Sequence, residues 1–527
     1  MNGAQALIRT LVGCGVEVCF ANPGTSEMHF VAALDAVPEM RGVLTLFEGA
    51  ATGAADGYGR MAAAPAAVLL HLGPGLGNGL ANLHNARRAR TPLVAVVGDH
   101  ATYHKRYDAP LESDIDAAAW TVSGWVRRSE RADEVGADAA DAVAAAAGPP
   151  GQIATLILPA DTSWSQGGEP GAPARVAVAE KVPDDLIETA AAALRSGEPC
   201  VLLLGGVATM GAGLHAAGRI AEATGAKLMC ETFPARLERG GGLPNVTTLA
   251  YLAEAATSQL DGARHLILAG ARSPVSFFAY PGRPSDLVSQ GCEVHTLGSA
   301  AQDVPGALAH LAELVATAAG PEYPSGPGGT RPGRPPEPAA LPSGALTGES
   351  LAHVVGALMP DGAIVVDEAN TGGMWLHAAT AGGPRHDWLT VPGGAIGEGL
   401  PLAIGAAVAC PDRPVLCMQA DGSAMYTISA LWTHAREELD ITTVILNNGS
   451  YDVLNMELQR VGAEPSGPRA KALLSLSRPD LDFVALACGM GVPASRATTA
   501  PELASQLGRA IGDPGPHLIE AIVPPLF

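Results

Sequence analysis

The sequence predicts an α/β fold made of three doubly wound parallel-sheet domains. Short apolar runs recur along the chain, and each is followed by glycine, proline or a hydroxyl residue and then by an alanine-rich helical pattern. This alternation of strands and helices is typical of parallel sheets that carry helices on both faces. The length of 527 residues also favours several domains, because a single hydrophobic core stops growing well below that size.

The first domain is predicted to cover residues 1–175, and a loop from Ser165 to Arg175 closes it. Apolar runs that do not alternate with polar residues indicate strands that are buried on both faces. We predict four such strands in this domain, at Val16–Phe20, Val43–Phe47, Ala67–Leu72 and Leu93–Val97.

The second domain is predicted at residues 181–319, where the strands Val201–Leu204 and His265–Leu268 each lead into a glycine turn. Residues 320–346 are rich in proline and glycine, which indicates an extended linker without a core of its own. The third domain is predicted at residues 347–527. Its strands are predicted at Ala363–Val366, Val415–Gln419, Thr443–Leu446 and His517–Ile522.

The composition restricts the partners and the compartment. A net charge of −21 and an isoelectric point near 5.0 argue against a nucleic-acid or anionic-membrane partner. The eight cysteines include no CxxC pair, and neither a signal peptide nor a membrane-spanning run is visible. We therefore expect a soluble cytoplasmic protein whose thiols are reduced.

Two polar side chains follow two strands of the predicted third domain. Asp421 comes just after Val415–Gln419, and Asn448, 27 residues later, comes just after Thr443–Leu446. Both are expected at the carboxyl edge of one sheet, where open α/β sheets bind their ligands. A carboxylate, an amide oxygen and a backbone carbonyl form an oxygen site suited to Mg²⁺. A helix predicted from about Met425 would offer its free N–H groups to an anionic diphosphate.

The segment from Asp421 to Asn448 resembles the thiamine-diphosphate motif of the family that includes acetolactate synthase, benzoylformate decarboxylase and pyruvate decarboxylase. The family motif usually opens with glycine where this chain has Ala420. The resemblance implies thiamine diphosphate and Mg²⁺ as cofactors, with Asp421 and Asn448 binding the metal through their side chains and Ser450 through its carbonyl. It also implies cofactor contacts from Gly422, Ser423 and Tyr426.

Glu48 follows the predicted strand Val43–Phe47 and opens a helix rich in alanine and glycine. From position alone, the carboxylate would only stabilise a helix N-terminus, by about 0.3–1 kcal/mol. However, the segment Thr45–Arg60 is similar to the one that carries the catalytic glutamate of the family. That resemblance implies that Glu48 binds the pyrimidine ring of the cofactor and promotes formation of a carbanion at C2 of the thiazolium ring. Many relatives place histidine and glutamine beside this glutamate, where Phe47 and Gly49 stand here.

Two further segments resemble cofactor-binding segments of the family. The loop Gly393–Gly397 is similar to the one that holds the aminopyrimidine ring, with Gly394 as the backbone acceptor for the 4′-amino group. Ile396 matches the bulky apolar residue that keeps the cofactor bent, and its alternative role is that of an ordinary core residue. Asn370 and Thr371 match the diphosphate contacts.

Candidate substrate residues come from the first two domains. Thr25 lies where benzoylformate decarboxylase has a serine, and either it or the next residue, Ser26, could instead cap a helix. His71 lies at the carboxyl end of a predicted strand, shortly before Gly73-Pro74-Gly75, and matches a catalytic histidine of benzoylformate decarboxylase. It could relay protons near neutral pH, and a purely structural role is the alternative.

His100 and His104 loosely resemble the paired histidines of pyruvate decarboxylases. Their spacing would suit zinc on a helix but lacks a third ligand, and a surface loop is the alternative. Phe277 and Phe278 stand near the place of a middle-domain histidine of benzoylformate decarboxylase and predict an apolar wall above the thiazolium ring.

The resemblance implies an enzyme acting on 2-oxo acids, by decarboxylation followed by carboligation as in acetolactate synthase. The alternatives are a non-ligating decarboxylase of the benzoylformate type and a catalytically silent cofactor-binding protein. FAD is not expected, because the middle domain carries no nucleotide fingerprint. The resemblance also implies a homodimer or homotetramer, with Glu48 and the Asp421–Asn448 site supplied by different subunits.

Overall fold

The computed structural model describes residues 1–316, 341–463 and 467–526. The strands of these residues form three sheets, so that the predicted α/β fold with three sheets is confirmed. Residues 320–340 of the predicted linker lie outside the described residues. None of the described helices is both long enough and apolar enough to cross a bilayer.

The first sheet has six parallel strands in the order β2-β1-β3-β4-β6-β5. Its strands are β1 Val18–Ala21, β2 Arg41–Leu44, β3 Ala66–Leu70, β4 Leu93–Asp99, β5 Trp125–Arg128 and β6 Ile153–Pro159. The helices around it are Gly3–Gly13, Met28–Leu34, Glu48–Ala62, Leu72–Ala89, Ile115–Trp120, Val135–Ala147 and Ala160–Trp164.

Two predicted strands of this sheet end earlier than expected. The strand predicted to reach Phe47 ends at Leu44, because the chain turns there to begin the helix at Glu48. The strand predicted to reach Leu72 ends at Leu70, and Leu72 is already the first residue of the next helix. Both differences fall where a polar side chain leaves the carboxyl end of a strand.

The second sheet is also parallel, in the order β10-β8-β7-β11-β12. The strands of this segment are β7 Cys200–Leu204, β8 Lys227–Cys230, β9 Leu237–Arg239, β10 Thr247–Thr248, β11 His265–Ala269 and β12 Glu293–Gly298. Its helices are Asp184–Arg195, Gly211–Thr224, Ala253–Leu260 and Val304–Ala316. The strand β9 does not join this sheet and pairs with the third one.

The third sheet has the order β17-β18-β16-β15-β13-β14-β9. Its remaining strands are β13 Ile364–Glu368, β14 His386–Leu389, β15 Val415–Ala420, β16 Ile441–Asn447, β17 Ala494–Ala497 and β18 His517–Ile522. Its helices are Gly348–Leu358, Leu376–Ala379, Gly399–Ala409, Asp421–Ala424, Ala430–Arg436, Asp452–Arg460, Pro468–Leu474, Phe483–Gly489 and Ala500–Gly512. All pairings are parallel except that of β9 with β14, which is antiparallel.

A helix pair joins the first and third sheets. The helices Glu48–Ala62 and Gly399–Ala409 share one hydrophobic core, and glycines allow their backbones to approach closely. A Cβ atom at Gly405 would overlap the carbonyl oxygen of Ala54. The buried Arg60 holds the contact further, because its guanidinium pairs with Glu398 at 3.0 Å. This packing brings the N-terminus of Glu48–Ala62 close in space to the loop that precedes Gly399–Ala409.

Candidate active site

Asp421 and Asn448 lie side by side at the carboxyl edge of the third sheet. They follow β15 and β16, which are adjacent and parallel, as the sequence predicts. Asp421 is 3% exposed, and its carboxylate accepts hydrogen bonds from the backbone N–H groups of Gly422 at 2.7 Å, Asn448 at 3.1 Å and Gly449 at 2.8 Å. Burial raises the pKa of Asp421, and these hydrogen bonds partly offset the effect.

Asn448 and Ser450 belong to a turn that faces this carboxylate. The side-chain oxygen of Asn448 accepts the Ser450 N–H at 3.0 Å, and its amide nitrogen donates to Asp452 Oδ2 at 3.1 Å. The other carboxylate oxygen of Asp452 is buried and has no hydrogen-bond partner. Among the described residues, neither Asp421 nor Asp452 has a basic ion-pair partner. Two buried carboxylates without a counter-charge are the setting in which a divalent cation fits.

The helix predicted from about Met425 is wrong in position. A single helical turn, Asp421–Ala424, begins at the carboxylate itself, and the next helix begins only at Ala430. The interruption coincides with a non-local contact, because Thr427 Oγ1 donates at 2.9 Å to the carbonyl of Gly397, 30 residues away. Tyr426, between the two helices, packs its Cβ against Gly397.

Gly422 and Ser423 follow Asp421 in the helical turn at this edge of the sheet. The ring of Tyr451 covers Gly422 so closely that a Cβ atom there would overlap the ring. Ser423 Oγ accepts a hydrogen bond from Gln419 Nε2 at 2.7 Å. The same amide of Gln419 donates to Glu368 Oε2 at 2.9 Å, so that the Ser423 side chain is connected to the last residue of β13.

The loop Gly393–Gly397 is anchored by Glu368, which the sequence did not single out. Its carboxylate accepts the N–H groups of Gly397 at 2.6 Å and Gly399 at 2.7 Å. Burial raises the pKa of Glu368, while these hydrogen bonds lower it. A second anchor comes from the first sheet, because Asn85 Nδ2 donates to the carbonyl of Ala395 at 2.7 Å. The loop is therefore held from two sides.

Phe277 covers this loop. Gly394 adopts a positive φ of 72°, and a Cβ atom there would lie 2.8 Å from the Phe277 ring. Phe277 contacts Phe278 with ring centroids 5.1 Å apart, and Phe233 and Tyr251 complete the aromatic group. Ile396, in the same loop, is half-buried.

Asn370 and Thr371 follow β13 at the same edge of the third sheet. They open a short 3₁₀ helix, Asn370–Gly373. Asn370 has a positive φ of 50°, a conformation that asparagine adopts more readily than most residues with a side chain. Its amide donates to the carbonyl of Glu368 at 3.4 Å, and its side chain is otherwise exposed.

Glu48 lies at the N-terminus of its helix, at the edge of the first sheet. Asn78 Nδ2 donates to Glu48 Oε2 at 3.0 Å. A Cβ atom at Gly75 would lie 3.3 Å from both Glu48 Oε1 and His71 Cβ. The glycine therefore leaves the carboxylate and the histidine close to the same space, and Glu48 remains half-exposed.

His71 is held by a carboxylate and a hydroxyl from the short 3₁₀ helix Thr25–Glu27. Its Nδ1 lies 2.9 Å from Glu27 Oε2 and 3.2 Å from Ser26 Oγ. A Cβ atom at Gly24 would overlap the imidazole ring, and Leu72, directly after the histidine, has a positive φ of 49°. The strained backbone and the Glu27 contact together fix the direction of the ring, which keeps 20% of its side-chain surface exposed.

Thr25, His100 and His104 line a cavity of about 260 Å³ next to Ser26. Neither Thr25 nor Ser26 caps the following helix, because the Ser26 hydroxyl donates to Glu27 and the carboxylate of Glu27 accepts the Gly24 N–H. The two histidines do not lie on a helix. Their rings are 5.4 Å apart, and His100 Nε2 is buried without a hydrogen-bond partner, so that it is available to a ligand in the cavity.

The side chains form two groups in one chain. One group surrounds Asp421 and the loop Gly393–Gly397, and the other contains Glu48, His71 and the cavity beside Thr25. Asn82 lies between them, because its amide donates to the carbonyls of Gly49 at 2.8 Å and Gly397 at 3.4 Å. Across the described residues, no hydrogen bond joins Glu48 to Asp421, Asn448 or Ser450.

Several residues that support the site were not predicted from the sequence, and they differ in whether the sequence carries a signal for them. Glu368 and Gln419 are polar residues at the ends of apolar strands, which is a usable signal. Glu27 and Asp452 are buried acids at the beginning of helices, and only the fold reveals their burial. Asn78 carries no signal, because it is one polar residue in a helix that has several.

Three largely parallel sheets, with an acidic edge on one and a carboxylate–histidine group on another, define the class of a multidomain α/β enzyme that uses a bound cofactor. Residues 1–120 match the family described as thiamine pyrophosphate enzyme, N-terminal TPP binding domain. Residues 371–521 match thiamine pyrophosphate enzyme, C-terminal TPP binding domain. The chain belongs to the family of thiamine-diphosphate-dependent enzymes, and both the resemblance and the prediction of thiamine diphosphate as a cofactor are confirmed.

Named relatives cover almost the whole chain. It is 65% identical to a Mycobacterium tuberculosis protein provisionally named acetolactate synthase large subunit IlvX, over 100% of both chains. It is 31% identical to benzoylformate decarboxylase of Pseudomonas aeruginosa, over 96% of both. A solved structure, the thiamine diphosphate-dependent 4-hydroxybenzoylformate decarboxylase of Rhodococcus jostii RHA1, matches 99% of each chain with a TM-score of 0.87 and 24% identity, which concerns the fold.

Proposed function

We propose that this enzyme decarboxylates a 2-oxo acid and joins the remaining fragment to a second carbonyl compound, as the name of its 65% identical relative indicates. The observation that carries the proposal is the pair of preorganised groups, the Asp421 edge and the Glu48–His71 group. Thiamine diphosphate, when bound, supplies the carbon nucleophile and the electron sink for loss of CO₂. The protein supplies binding, orientation and proton control.

Mg²⁺ is the proposed metal, held by Asp421, Asn448 and the carbonyl of Ser450. The donor set is entirely oxygen, as Mg²⁺ prefers. The Asn448 side-chain oxygen accepts one hydrogen bond and keeps a second lone pair for a cation. The unpartnered oxygen of the buried Asp452 adds negative charge beside the site, which a divalent ion would neutralise.

The diphosphate would lie between this metal and the residues at the same sheet edge, namely Gly422, Ser423, Tyr426, Asn370 and Thr371. The ring end would lie along the loop Gly393–Gly397, beside Gly394 and Ile396, with Phe277 bordering the same space. Glu48 would hydrogen-bond the pyrimidine ring. Its single contact with Asn78 leaves one carboxylate oxygen for that purpose.

His71 supports a second candidate, a 2-oxo acid decarboxylase that releases an aldehyde. Because Nδ1 of His71 is taken by Glu27 and Ser26, its Nε2 is the atom left to move a proton to or from substrate. Protonation of the carbon that lost CO₂ gives an aldehyde, whereas attack of that carbon on an acceptor carbonyl forms a new carbon–carbon bond. The two outcomes compete after the same first step.

The test is a product balance. The protein, loaded with thiamine diphosphate and Mg²⁺, is given a panel of 2-oxo acids with and without an aldehyde or a second 2-oxo acid, and CO₂, aldehyde and ligated product are measured. Less than one aldehyde per CO₂, with ligated product as the balance, is expected. One aldehyde per CO₂ without ligated product would select the decarboxylase, and no CO₂ from any acid would overturn both.

His71→Ala sharpens this test, with His215→Ala on an exposed helix position as the matched control. Loss of the proton donor is expected to slow aldehyde release by about 10²-fold or more, while the ligated fraction of the product rises. Unchanged product ratios in His71→Ala would show that the histidine does not move the proton.

We further propose that the active site is completed by a second copy of the chain. Glu48 and the Asp421 edge share no hydrogen bond within one chain, and each presents a surface that lacks a partner group. A symmetric dimer would supply both sites at once. A cytoplasmic location is proposed with it, because all eight cysteines are free thiols, which suits a reducing compartment.

A further inference from the structure

A group of histidines and carboxylates lies on the second sheet, at the amino ends of its strands. His265 is the first residue of β11, and Glu293 and His295 lie on one face of the neighbouring edge strand β12. The parallel register places His265 beside Glu293. Glu198 lies just before β7, which pairs with β11 on its other side. The proposed catalytic function uses none of these residues.

The ligand atoms converge on one point. His265 Nδ1 lies 3.1 Å from His295 Nε2 and 3.7 Å from Glu293 Oε2, and His295 Nε2 lies 3.8 Å from the same Glu293 oxygen. All three atoms fall within 4.8 Å of one another. The two imidazole rings are largely buried, with side-chain exposures of 10% and 16%, while Glu293 reaches into solvent.

Glu198 determines which nitrogen of His265 carries the proton. Its carboxylate lies 3.1 Å from His265 Nε2, so that Nε2 carries the hydrogen and donates it. Nδ1 of His265 then presents a lone pair toward His295 Nε2 and Glu293. A carboxylate that holds the far nitrogen of a histidine in this way is the usual support of a metal-binding imidazole.

We propose that His265 Nδ1, His295 Nε2 and Glu293 bind a Zn²⁺ ion. Two imidazoles and one carboxylate are a common zinc donor set, and solvent at the exposed side of Glu293 would supply the fourth ligand. The ion would tie the edge strand β12 to β11 and, through Glu198, to the segment before β7. It would lie at the amino ends of these strands, whereas Phe277 follows the carboxyl end of β11.

The experiment measures zinc on the complete enzyme. Untagged protein saturated with thiamine diphosphate and excess Mg²⁺ is freed of transition metals with a chelator, then titrated with Co²⁺ as a spectroscopic probe and with Zn²⁺ by calorimetry. We expect one ion per chain, a visible absorption band typical of Co²⁺ with a low coordination number, and a melting temperature that rises when Zn²⁺ is added. Turnover of 2-oxo acid should not change.

Three variants and one control locate the site. His295→Gln and Glu293→Gln are expected to abolish the Co²⁺ band, and Glu198→Gln to weaken Zn²⁺ binding by about 10–100-fold. His215→Gln, an exposed histidine of the same segment, should bind as the wild type does. Melting curves without zinc show whether each variant is folded.

Two results would overturn the proposal. Wild-type protein that takes up no Zn²⁺ would mean that His265 and His295 are joined by an ordinary hydrogen bond between neutral rings. Equal zinc uptake by His295→Gln and wild type would mean that the ion binds elsewhere, including at the Asp421 edge.

Discussion

The Asp421 edge and the Glu48 group differ in how complete they are within one chain. Asp421 is buried and receives three backbone hydrogen bonds. Glu48 is half-exposed and receives one side-chain hydrogen bond, from Asn78. The first carboxylate is fixed by two neighbouring strands, whereas the second stands at a helix N-terminus with a single side-chain contact.

This difference suggests a division of labour. A metal and a diphosphate need a rigid set of oxygen and N–H groups before binding, because their geometry is strict. A proton-exchanging carboxylate needs its hydrogen bond only when the cofactor is present, so it can be supplied from a second surface. The predictions below test whether the two regions divide between subunits as well as between functions.

The largest effect is expected from Glu48→Gln, which removes the acid but keeps its size. It should lower kcat by about 10²–10⁴-fold and leave cofactor binding nearly unchanged. The control is Glu39→Gln at an exposed position. Turnover is measured as CO₂ release, and cofactor affinity by calorimetry. Full activity of Glu48→Gln would remove it from the mechanism.

Mixed dimers sharpen the same result. One Glu48→Gln chain and one Asp421→Asn chain, carrying different tags and purified through both, should regain about half of the wild-type activity, because a shared interface leaves one site of each symmetric pair intact. Sites contained in one chain would leave the mixed dimer inactive, because each chain would then carry a defect of its own.

Asp421→Asn should have the next largest effect. It removes the charge that the metal requires, and loss of a direct ligand should exceed the 10–100-fold loss of affinity that is typical of a supporting residue, giving more than about 100-fold. Calorimetric titration with Mg²⁺ and thiamine diphosphate measures the change. Asp412→Asn, which is exposed, is the control. Equal affinity in Asp421→Asn and wild type would contradict the proposed site.

Gly405→Ala tests the helix pair that carries both regions. The new methyl group would meet the carbonyl of Ala54, and such overpacking should lower the free energy of unfolding by about 1–3 kcal/mol. Gly508→Ala is the matched control, because its helix position has open space around it and alanine there should stabilise by about 0.5–1 kcal/mol. Denaturant unfolding measures the change in the free energy of unfolding for both variants. A change of the same sign in Gly405→Ala and Gly508→Ala would contradict the close approach of the helices.

The pH dependence of stability involves His434, whose Nε2 donates to the carbonyl of Leu400, in the second helix of that pair, at 3.0 Å. Burial lowers the pKa of His434 to about 4. Between about pH 6.5 and 4 the unfolded chain binds a proton that the folded chain does not, so the free energy of unfolding falls as the pH falls, by up to about 1.4 kcal/mol per unit.

His434→Gln should therefore flatten the acid side of a plot of the free energy of unfolding against pH. His215→Gln should leave that slope unchanged. The slope that remains in His434→Gln contains the contributions of His377 and His386, because burial lowers their pKa values to about 3 and about 4. An unaltered slope in His434→Gln would mean that its ring is not buried in solution.

The sequence predicted the sheets and the Asp421–Asn448 pair because both depend on local order. A polar residue directly after an apolar strand must appear at the sheet edge, whatever the neighbouring domains do. The strand His517–Ile522 has the predicted bounds. The helix expected at Met425 failed because the Thr427 hydroxyl bonds to Gly397, a contact across 30 residues that no local pattern shows.

The contacts of His71 and Phe277 could not be predicted from local sequence patterns either. The partners of the histidine, Glu27 and Ser26, come from a turn about 45 residues earlier, and the partner of Phe277 is a glycine in another domain. Such contacts depend on how strands are ordered in space. Motif resemblance indicated the residues, and only the fold could supply the distances.

The short strand β9 has a consequence for rearranging this protein. It is supplied by the middle segment, yet it pairs with β14 at the margin of the last sheet, and Arg239 stacks over the buried Trp388 with 5.0 Å between guanidinium and ring. Removing the middle segment, or exchanging it with that of a relative, would expose the edge of β14. An unpaired strand edge can pair with a strand of another molecule. Chimeras that keep Leu237–Arg239 with the last sheet should stay dispersed, and those that remove it should aggregate.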